Sequence, residues 1–414
     1  MASNPSRFDN LWLFFLGDPA TPRLIGELRY LQLTRAVSLT YAASWLETGF
    51  RLSEDLPLTA NEASPREPGR AAGAVDDARP DRWGERVIQL VDRPSRLSLM
   101  EYLYFAGDDR FGALGVSTSA DQYLPRRLGP LPTLQEADRI HGLIRKVQDN
   151  EPIPTELRRL VSPGATMGGA RPKALLNMSG EQWVIKFSDG EPADTPLIEH
   201  ATMRLAQKAK IRSAPTMAVR LTVGHAVAIR RFDRAGARRR HCLSAAVALR
   251  AAGEQFGYPE LAQLLRRKGV AQGNRYVADM HELFRRMVFN ILIDNTDDHE
   301  KNHALMVTER GHYELAPAFD VLPSGQALGF QQMRVGEQAA DSTLANALSM
   351  SVLFGLKRDQ AVREARAVAQ VVSGWKEHFA ACEVTAADIE LYAQQIDRPF
   401  LREQRAGMAA GPHP

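Results

Sequence analysis

The stretch Asp294-Asn295-Thr296-Asp297-Asp298-His299-Glu300-Lys301-Asn302 follows directly on a long apolar pattern. From about residue 277 to residue 293, large apolar side chains recur at helical spacing, namely Met280, Leu283, Phe284, Met287, Val288, Ile291 and Leu292. Six of the nine quoted residues are ionisable, and such a cluster at the end of a buried helix is costly unless solvent or a metal ion receives it. The pattern predicts a helix that ends in a functional loop.

Asp297 and Asn302 lie five residues apart within this loop. This is the Asp-x-x-x-x-Asn spacing of a protein-kinase catalytic loop, in which the aspartate accepts the proton of the substrate hydroxyl and the asparagine holds a metal ion. Each residue alone is equally typical of a helix cap. The prediction of Asp297 as catalytic base and Asn302 as metal ligand therefore depends on the other parts of a kinase site occurring in order.

A predicted β-hairpin follows the loop. The apolar runs 304–307 and 313–315 flank Glu309-Arg310-Gly311, and Ala318-Phe319-Asp320 comes after the second run. Because a hairpin returns the chain to its starting point, we expect Asp320 to lie beside Asn302. Two oxygen ligands of this kind can hold Mg²⁺, which also bridges nucleotide phosphates. Asn302 and Asp320 are thus the predicted magnesium ligands.

A glycine-rich segment, residues 164–173, precedes these elements and contains Gly164, Gly168 and Gly169. Glycines allow backbone N–H groups to approach phosphate oxygens closely, and Lys173 at the end of the segment is available to neutralise phosphate charge. A single glycine pair is also common in an ordinary turn. The segment predicts a phosphate-binding loop only in combination with the catalytic stretch.

Two apolar runs after the glycines, 174–176 and 183–187, enclose the turn-forming residues 177–180. They predict two antiparallel strands. Lys186 lies within the second run, where a lysine is costly unless its ammonium group has a partner, although a lysine at a strand edge can extend to solvent. Glu199 on the following predicted helix is the candidate ion-pair partner, as in a kinase.

The order of patterns predicts an α+β protein with a strand-rich lobe, an all-helical C-terminal lobe and an extra N-terminal module. We place this module at residues 1–150, the ATP-binding lobe at 151–235 and the helical catalytic lobe at 236–414. Residues 61–80 are rich in Ala, Gly, Pro and charged residues and predict a flexible insertion. Residues 133–136 form a capping box that predicts the start of a helix.

Composition excludes several classes of function. A net charge of +3 gives no strong electrostatic field for nucleic acid, and two cysteines cannot form a disulfide framework or a zinc site alone. The apolar run 11–16 is too short for a secretion signal or a membrane span. We therefore expect a cytoplasmic protein without membrane contact.

The quoted motifs resemble, in order, those of the HipA family of serine/threonine kinase toxins from bacterial toxin–antitoxin pairs. The catalytic-body motifs are Gly-Gly-Ala-Arg-Pro-Lys at 168–173, Ile-Lys-Phe at 185–187, Arg-Phe-Asp-Arg at 231–234, the catalytic stretch 295–302 and Phe-Asp-Val at 319–321. The N-terminal motifs are Leu-Pro-Leu at 56–58, Pro-Asp-Arg-Trp-Gly at 80–84 and Asp-Arg-Phe-Gly-Ala-Leu at 109–114. The resemblance thus spans most of the chain.

This resemblance implies a kinase that uses ATP and Mg²⁺. It implies catalytic roles for Asp297, Lys186 and Glu199. It also implies nucleotide contacts by Gly168, Gly169, Ala170, Arg171, Pro172, Lys173, Lys186, the hinge residues Arg230, Arg231 and Phe232, and by His299, Glu300, Lys301, Asn302, Phe319 and Asp320. Arg230 stands where the family commonly has a glutamate.

The same resemblance implies a protein substrate, such as a translation component, and an inhibitory autophosphorylation ahead of the phosphate loop. Thr166 occupies the nearest position to the serine of the family, and Ser162 lies a few residues upstream. It also implies a HipB-like helix-turn-helix antitoxin, through which alone operator DNA would be contacted.

Two alternatives stay open at the level of sequence. His299-Glu300-Lys301-Asn302-His303 matches the His-Glu-x-x-His signature of zinc metalloproteases, which requires both histidines on one continuous helix. The turn signal at Asp294-Asn295 argues against such a helix. The other alternative is a catalytically weak kinase-fold subunit of a repressor complex.

Overall fold

A computed structural model describes residues 8–161, 163–164, 169–324 and 326–409. The strands are β1 Asn10–Phe15, β2 Arg23–Leu31, β3 Ala36–Tyr41, β4 Leu114–Ser117, β5 Lys173–Met178, β6 Glu181–Lys186, β7 Thr216–Arg220, β8 His225–Arg230, β9 Arg234–Ala235, β10 Arg238–Arg239, β11 His241–Ser244, β12 Ala304–Val307 and β13 Tyr313–Leu315. The fold is α+β, as predicted.

The α-helices are α1 Ala43–Thr48, α2 Arg82–Val91, α3 Leu99–Phe105, α4 Ala137–Gln148, α5 Thr195–Lys208, α6 Ala245–Ala252, α7 Tyr258–Lys268, α8 Arg275–Leu292, α9 Leu344–Ser349, α10 Arg358–Ser373, α11 Trp375–Ala381, α12 Ala386–Ile396 and α13 Pro399–Ala409. Short 3₁₀ helices span Gly73–Ala78, Leu134–Glu136, Thr155–Leu160, Gln272–Asn274, Glu300–Asn302 and Ser351–Phe354. No helix within the described residues has both the length and the apolar character that crossing a membrane requires.

By internal contacts the chain divides into two compact units. The first unit comprises Met1–Phe187, Arg230–Ala252 and Met306–Gly311, and the second comprises Ser188–Ile229, Gly253–Leu305 and His312–Pro414. This division groups segments that are distant in the sequence by their contacts, so it does not test the predicted boundaries near 150 and 235. Those boundaries remain predictions.

The first unit contains an antiparallel sheet in the order β3-β2-β1-β4 and the hairpin β5–β6. Only Ser179 and Gly180 connect β5 to β6, and both have positive φ, 53° and 83°. Two such residues match the right-handed twist of the flanking strands. The predicted antiparallel pair is therefore confirmed, with a turn two residues shorter than the stretch 177–180.

The second unit is built around α8. Its predicted apolar stripe is confirmed, because the side chains from Met280 to Leu292 that define it are at most 1% exposed. Helices α7, α10 and α13 pack against α8. Burying several large apolar side chains in this way contributes about 1.5–3 kcal/mol for each, which makes α8 a rigid base for the loop that follows it.

The expectation of an all-helical C-terminal lobe was wrong. Strands β10, β11, β12 and β13 lie within residues 236–414. The hairpin formed by β12 and β13 follows from the two apolar runs that flank Glu309-Arg310-Gly311, whereas β11 is four residues long and buried on both faces. A short strand without alternation cannot be distinguished from a helical segment by periodicity.

The expectation that residues 61–80 form a flexible insertion with little to bury was also wrong. Ala71, Ala74 and Val75 are at most 3% exposed, and isolated β-bridges join Ala63 and Ala71 to β3. Asp77 accepts hydrogen bonds from the backbone N–H and hydroxyl of Ser244, at 2.6 and 2.7 Å, immediately before α6. Small residues allow this close packing, which composition alone cannot reveal.

A buried ion cluster joins two of the quoted motifs within the first unit. The Asp233 carboxylate accepts from Arg231 at 2.8 Å, from Arg234 at 2.9 Å and from the Gly112 N–H at 2.7 Å. The two guanidinium groups also donate to the Arg110 carbonyl, each at 2.8 Å. Burial acts to raise the pKa of Asp233, but the two arginines outweigh it and hold the pKa well below its usual range.

Replacing Asp233 with alanine will strongly destabilise the protein. Asp233→Ala leaves two buried guanidinium groups without their counter-charge, which we expect to lower the free energy of unfolding by about 3–5 kcal/mol. The measurement is urea unfolding followed by tryptophan fluorescence at pH 7. Asp359→Ala is the matched control, because Asp359 and its partner Arg363 form an ion pair with both side chains more than 60% exposed. An equal midpoint shift in the two variants would contradict this account.

Candidate functional site

The predicted catalytic loop begins where α8 ends. The last helical hydrogen bond, from the Ile293 N–H to the Phe289 carbonyl, is 2.9 Å long, and the Asn295 N–H then donates to the Asn290 carbonyl at 2.9 Å. Asp294 between them has a left-handed backbone with φ 61°. Because a left-handed residue reverses the chain after a helix, the polar stretch 294–302 leaves the helix axis at this point.

Asp297 is exposed, whereas both of its neighbours, Thr296 and Asp298, are fully buried. The Thr296 hydroxyl lies 2.6 Å from the hydroxyl of Ser324. With both flanking side chains held inward, the carboxylate of Asp297 is presented to solvent. A substrate hydroxyl can therefore approach it, as a catalytic base requires.

Asp298 is held by a buried hydrogen-bond network that the sequence did not reveal. Its Oδ2 accepts from the Tyr258 hydroxyl and lies 2.7 Å from His303 Nε2. Asn290 on α8 donates to the Tyr258 oxygen at 3.2 Å. Burial acts to raise the pKa of Asp298, but His303 and Tyr258 outweigh it and lower the pKa overall. The network ties both ends of the loop to α7 and α8.

Asn302 is buried at the end of the 3₁₀ turn Glu300–Asn302. Its Nδ2 lies 3.5 Å from the Asp297 carbonyl oxygen. Its Oδ1 is buried, and no hydrogen-bond donor within the described part of the chain reaches it. An unsatisfied buried carbonyl oxygen is costly, and a cation is a suitable partner for such an oxygen. The side chain therefore fits the predicted metal ligand.

The predicted hairpin returns the chain to the same region. The Ala316 N–H donates to the Ala304 carbonyl at 2.9 Å, and Ala318 forms a parallel bridge with Ser213. Asn302 shares a pocket with Phe319 and Val321, the two neighbours of Asp320. The structure thus brings the two ends of the hairpin together around this pocket.

Asp320 itself is half-buried and has a left-handed backbone, with φ 59°. A residue with a Cβ atom adopts this conformation only at a cost, and such residues are concentrated at functional sites. Phe319 and Val321 are buried on either side. The backbone conformation thus sets the direction of the Asp320 carboxylate.

A second buried network supports the segment that leads to Asp320. Arg286 on α8 donates to the Ala316 carbonyl at 2.6 Å and to Glu282 at 3.1 Å. Arg212 pairs with Glu282 at 2.5 Å and with Asp279 at 2.7 Å. Burial acts to raise the pKa of Glu282, but the two arginines lower it overall. The signal in the sequence was the i, i+4 pair Glu282 and Arg286 within an otherwise apolar stripe.

Asp294 ties the loop to a third segment. Its Oδ1 accepts from Arg398 at 2.7 Å, and its carbonyl accepts from the N–H and hydroxyl of Ser324, at 3.0 and 3.1 Å. Burial raises the pKa of Asp294 to about 6, although Arg398 acts against it. The loop is therefore bound to the chain that follows Asp320 as well as to α8.

The nucleotide-binding residues predicted from the glycine-rich segment lie in the first unit. Gly168 is outside the described residues, as are Thr166 and Ser162. Gly169 and Ala170 are exposed and Arg171 is half-buried, whereas Pro172 and Lys173 are buried. The Lys173 ammonium pairs with Asp81 and donates to the Gly169 carbonyl at 2.6 Å.

Lys186 is 1% exposed and lies opposite Lys173 in the β5–β6 register. It is the last residue of β6 rather than a residue in the middle of the strand. Side chains directly opposite on antiparallel strands share one face of the sheet. The predicted partner Glu199 is fully buried on α5, in the second unit.

The predicted hinge residues also lie in the first unit, where two of the three side chains are buried. Arg230 is exposed and pairs with Glu181 at 3.2 Å. Arg231 belongs to the Asp233 cluster, and the Phe232 ring packs edge-on against Phe111 with 6.1 Å between centroids. The side chain of Arg231 is therefore structural, and a nucleotide contact here would use the backbone.

The remaining loop residues do not form a zinc protease site. His299 and Glu300 are half-buried and Lys301 is exposed. His299 precedes a single 3₁₀ turn, and His303 follows it with an extended backbone, so the two imidazoles do not share a helix face as the zinc motif requires. His303 Nε2 is instead directed to Asp298. The metalloprotease alternative is therefore wrong.

Comparison with known proteins gives concordant matches along the chain. Residues 165–375 match the HipA-like C-terminal domain, and residues 20–117 match the HipA N-terminal domain. The serine/threonine-protein kinase toxin HipA of Shewanella oneidensis is 23% identical to this chain over 345 residues, which cover 75% of each protein.

Solved structures show the same relationship at the level of the fold. A structure of Shewanella oneidensis HipA with HipB and operator DNA aligns over 97% of both chains, with a TM-score of 0.67 and 19% identity. The proinflammatory kinase CtkA of Helicobacter pylori aligns with a TM-score of 0.39 and 11% identity, over 59% of this chain and 94% of that chain. The alignment with the HipA structure, at a TM-score of 0.67, shows that the α+β fold of this chain is of the HipA type. Since the C-terminal domain match alone spans half of the sequence, and the N-terminal match precedes it in the same order, this chain belongs to the HipA family.

Proposed function

We propose that this chain is an ATP-dependent serine/threonine protein kinase that acts as a growth-arresting toxin. One observation carries the proposal. The Asp297 side chain is exposed between two buried neighbours, the buried Asn302 Oδ1 has no hydrogen-bond donor among the described residues, and Asn302 shares a pocket with both neighbours of Asp320. A base, two metal ligands and little else are what phosphoryl transfer requires of a protein.

Asp297 is the proposed catalytic base. In this role its carboxylate accepts the proton of the attacking substrate hydroxyl and orients that oxygen. The Asp298 network and the Thr296–Ser324 contact support this role, because they hold the two residues that flank Asp297. Lys186 and Glu199 complete the proposed catalytic set as phosphate-binding lysine and its ion-pair partner.

Asn302 and Asp320 are the proposed Mg²⁺ ligands. The amide and carboxylate oxygens of these two side chains are hard donors of the kind that Mg²⁺ prefers. Bound there, Mg²⁺ would supply the positive charge that offsets the charge developing on the transferred phosphoryl group. The Arg286 and Glu282 network supports this proposal, because it holds the backbone that leads to Asp320, whose two neighbours share a pocket with Asn302.

Residues 168–173 are the proposed phosphate loop, with the hinge 230–232 contacting the adenine and residues 299–302 and 319 adding further nucleotide contacts. Lys173 and Lys186 face each other across β5 and β6 and are both fully buried. The Lys173 ammonium is paired with Asp81, and Lys186 is the lysine proposed to bind the nucleotide phosphates.

The proposed substrates are a cellular protein, such as a translation component, and the chain itself, through Thr166 or Ser162. The proposed partner is a HipB-like helix-turn-helix antitoxin, through which operator DNA would be bound, by analogy with the complex solved for the Shewanella oneidensis protein. The proposal places the chain in the cytoplasm, where ATP is available.

Replacing the proposed base will abolish activity without unfolding the protein. We expect Asp297→Ala to lower the transfer of radiolabelled phosphate from ATP by about 10²–10⁴-fold and to abolish growth arrest after induction. The thermal midpoint should change little, because Asp297 is exposed.

Asp359→Ala is the control, since Asp359 is an exposed aspartate on α10 of the same unit. It should retain wild-type transfer and arrest. Wild-type protein no more active than Asp297→Ala would instead favour the catalytically weak subunit of a repressor complex.

Replacing either proposed metal ligand will weaken the use of Mg²⁺. Asp320→Asn and Asn302→Ala should each raise the Mg²⁺ concentration for half-maximal phosphate transfer by at least about tenfold. The measurement is a Mg²⁺ titration at saturating ATP. A loss of maximal rate with an unchanged Mg²⁺ requirement would contradict the assignment of these two residues.

A further inference from the structure

The first turn of α2 contacts the chain on both sides of the glycine-rich segment. This turn carries Asp81, the N-cap of α2, followed by Arg82, Trp83 and Gly84. The segment of residues 164–173 contains the proposed phosphate loop, residues 168–173, and α2 contacts Pro163 just before the segment and Lys173 at its end. All of these residues belong to the first unit.

At the end of the segment, α2 holds Lys173 through two different groups. The carboxylate of Asp81 pairs with the buried ammonium of Lys173, which also donates to the Gly169 carbonyl at 2.6 Å. The indole N–H of Trp83, which is 3% exposed, donates to the Lys173 backbone carbonyl at 2.8 Å. Side chain and backbone of Lys173 are thus both fixed, and Gly169 is tied to Lys173.

At the start of the segment, α2 lies directly against Pro163. A Cβ atom on Gly84 would be 2.3 Å from the Pro163 carbonyl oxygen, so the two backbones are in close contact. A Cβ atom on Gly164 would likewise be 2.6 Å from the Ala106 carbonyl oxygen. Gly164 is therefore required for packing against the end of α3.

We propose that Asp81 and Trp83 are positioning residues for ATP, an inference that rests on the proposed kinase function. Backbone N–H groups bind phosphate oxygens well only when they are held in place before the ligand arrives. The first turn of α2 supplies this constraint to residues 169–173 of the proposed phosphate loop, because it fixes Lys173, and Lys173 in turn holds Gly169. Lys173 takes part as the buried tie between the loop and α2.

Electrostatics alone predicts that removing the charge of Asp81 strengthens ATP binding, whereas a positioning role predicts that it weakens ATP binding. Asp81 is negatively charged and close to Lys173, so its neutralisation makes the region more positive and favours a polyanion. A positioning role predicts weaker binding, because the Lys173 ammonium loses its counter-charge and the loop loses its tie. The sign of the change in ATP affinity therefore separates the two roles.

The test compares Asp81→Asn with Asp92→Asn in the full-length protein. Asp92 is the C-cap of the same helix and forms a similar buried ion pair with Arg126, at the opposite end from the loop. ATP affinity is measured by equilibrium dialysis with radiolabelled ATP and Mg²⁺, and kcat and KM by phosphate transfer. Thermal midpoints report the cost to stability in both variants.

We expect Asp81→Asn to raise the dissociation constant and the KM for ATP by about tenfold, the usual size of a lost hydrogen bond to a charged group. The kcat at saturating ATP should change less than about threefold, because binding energy and not the chemical step is affected. Asp92→Asn should lower the thermal midpoint about as much as Asp81→Asn does, but leave ATP affinity unchanged. Asp81→Glu, which keeps the carboxylate, should restore most of the affinity.

Trp83→Phe provides an independent variant if Asp81→Asn does not fold. It keeps an aromatic ring and removes only the N–H that holds the Lys173 carbonyl, and we expect weaker ATP binding from it as well. Unchanged or tighter ATP binding in Asp81→Asn, or an equal loss of ATP affinity in Asp92→Asn, would overturn this inference but not the proposed function. A wild-type protein that binds no ATP would overturn the proposed function and this inference with it.

Discussion

The buried carboxylate of Asp298 is the constraint on which the geometry of the candidate site depends. Its hydrogen bonds with Tyr258 and His303 draw it into the second unit, and its neighbour Asp297 is consequently directed to solvent. The two adjacent aspartates thus have opposite environments, because Asp298 is held by buried donors and Asp297 is exposed. A carboxylate in this position is stable only while its donors remain, since an uncompensated buried charge is costly.

In both units, a cluster of arginines around a buried carboxylate holds segments of irregular backbone. In the first, Arg231 and Arg234 surround Asp233 and donate to backbone carbonyls of the 109–112 motif. In the second, Arg286 and Arg212 surround Glu282 and donate to the carbonyls of Ala316 and Leu315. The guanidinium group has five donors in a fixed plane, so a single arginine can neutralise a carboxylate and satisfy a loop carbonyl at once. Irregular segments of both units are thereby held without regular secondary structure.

Several parts of the fold could be predicted because their causes are local. The stripe on α8, the capping box at Thr133 and the turn between β5 and β6 depend on residues near one another in the chain. The packing of residues 61–80 could not be predicted, because Ala63 and Ala71 are held by β3 and Asp77 by Ser244. Such contacts between distant residues leave no periodic signal. For the same reason, α2 was recognisable as a motif at 80–84 but not as the support of the glycine-rich segment.

The sequence by itself determined which chemical groups the candidate site contains and in what order they occur. Asp297, Asn302 and Asp320 were identifiable because the spacing of a kinase loop and the return of a hairpin are both short-range properties. Only the tertiary structure decided which groups face solvent and which are buried, as the contrast between Asp297 and Asp298 shows. It also excluded the zinc motif, since the backbone between His299 and His303 forms a single 3₁₀ turn. The physical reason is that burial and hydrogen-bond partners come from residues far away in the chain, whereas residue type and spacing are local.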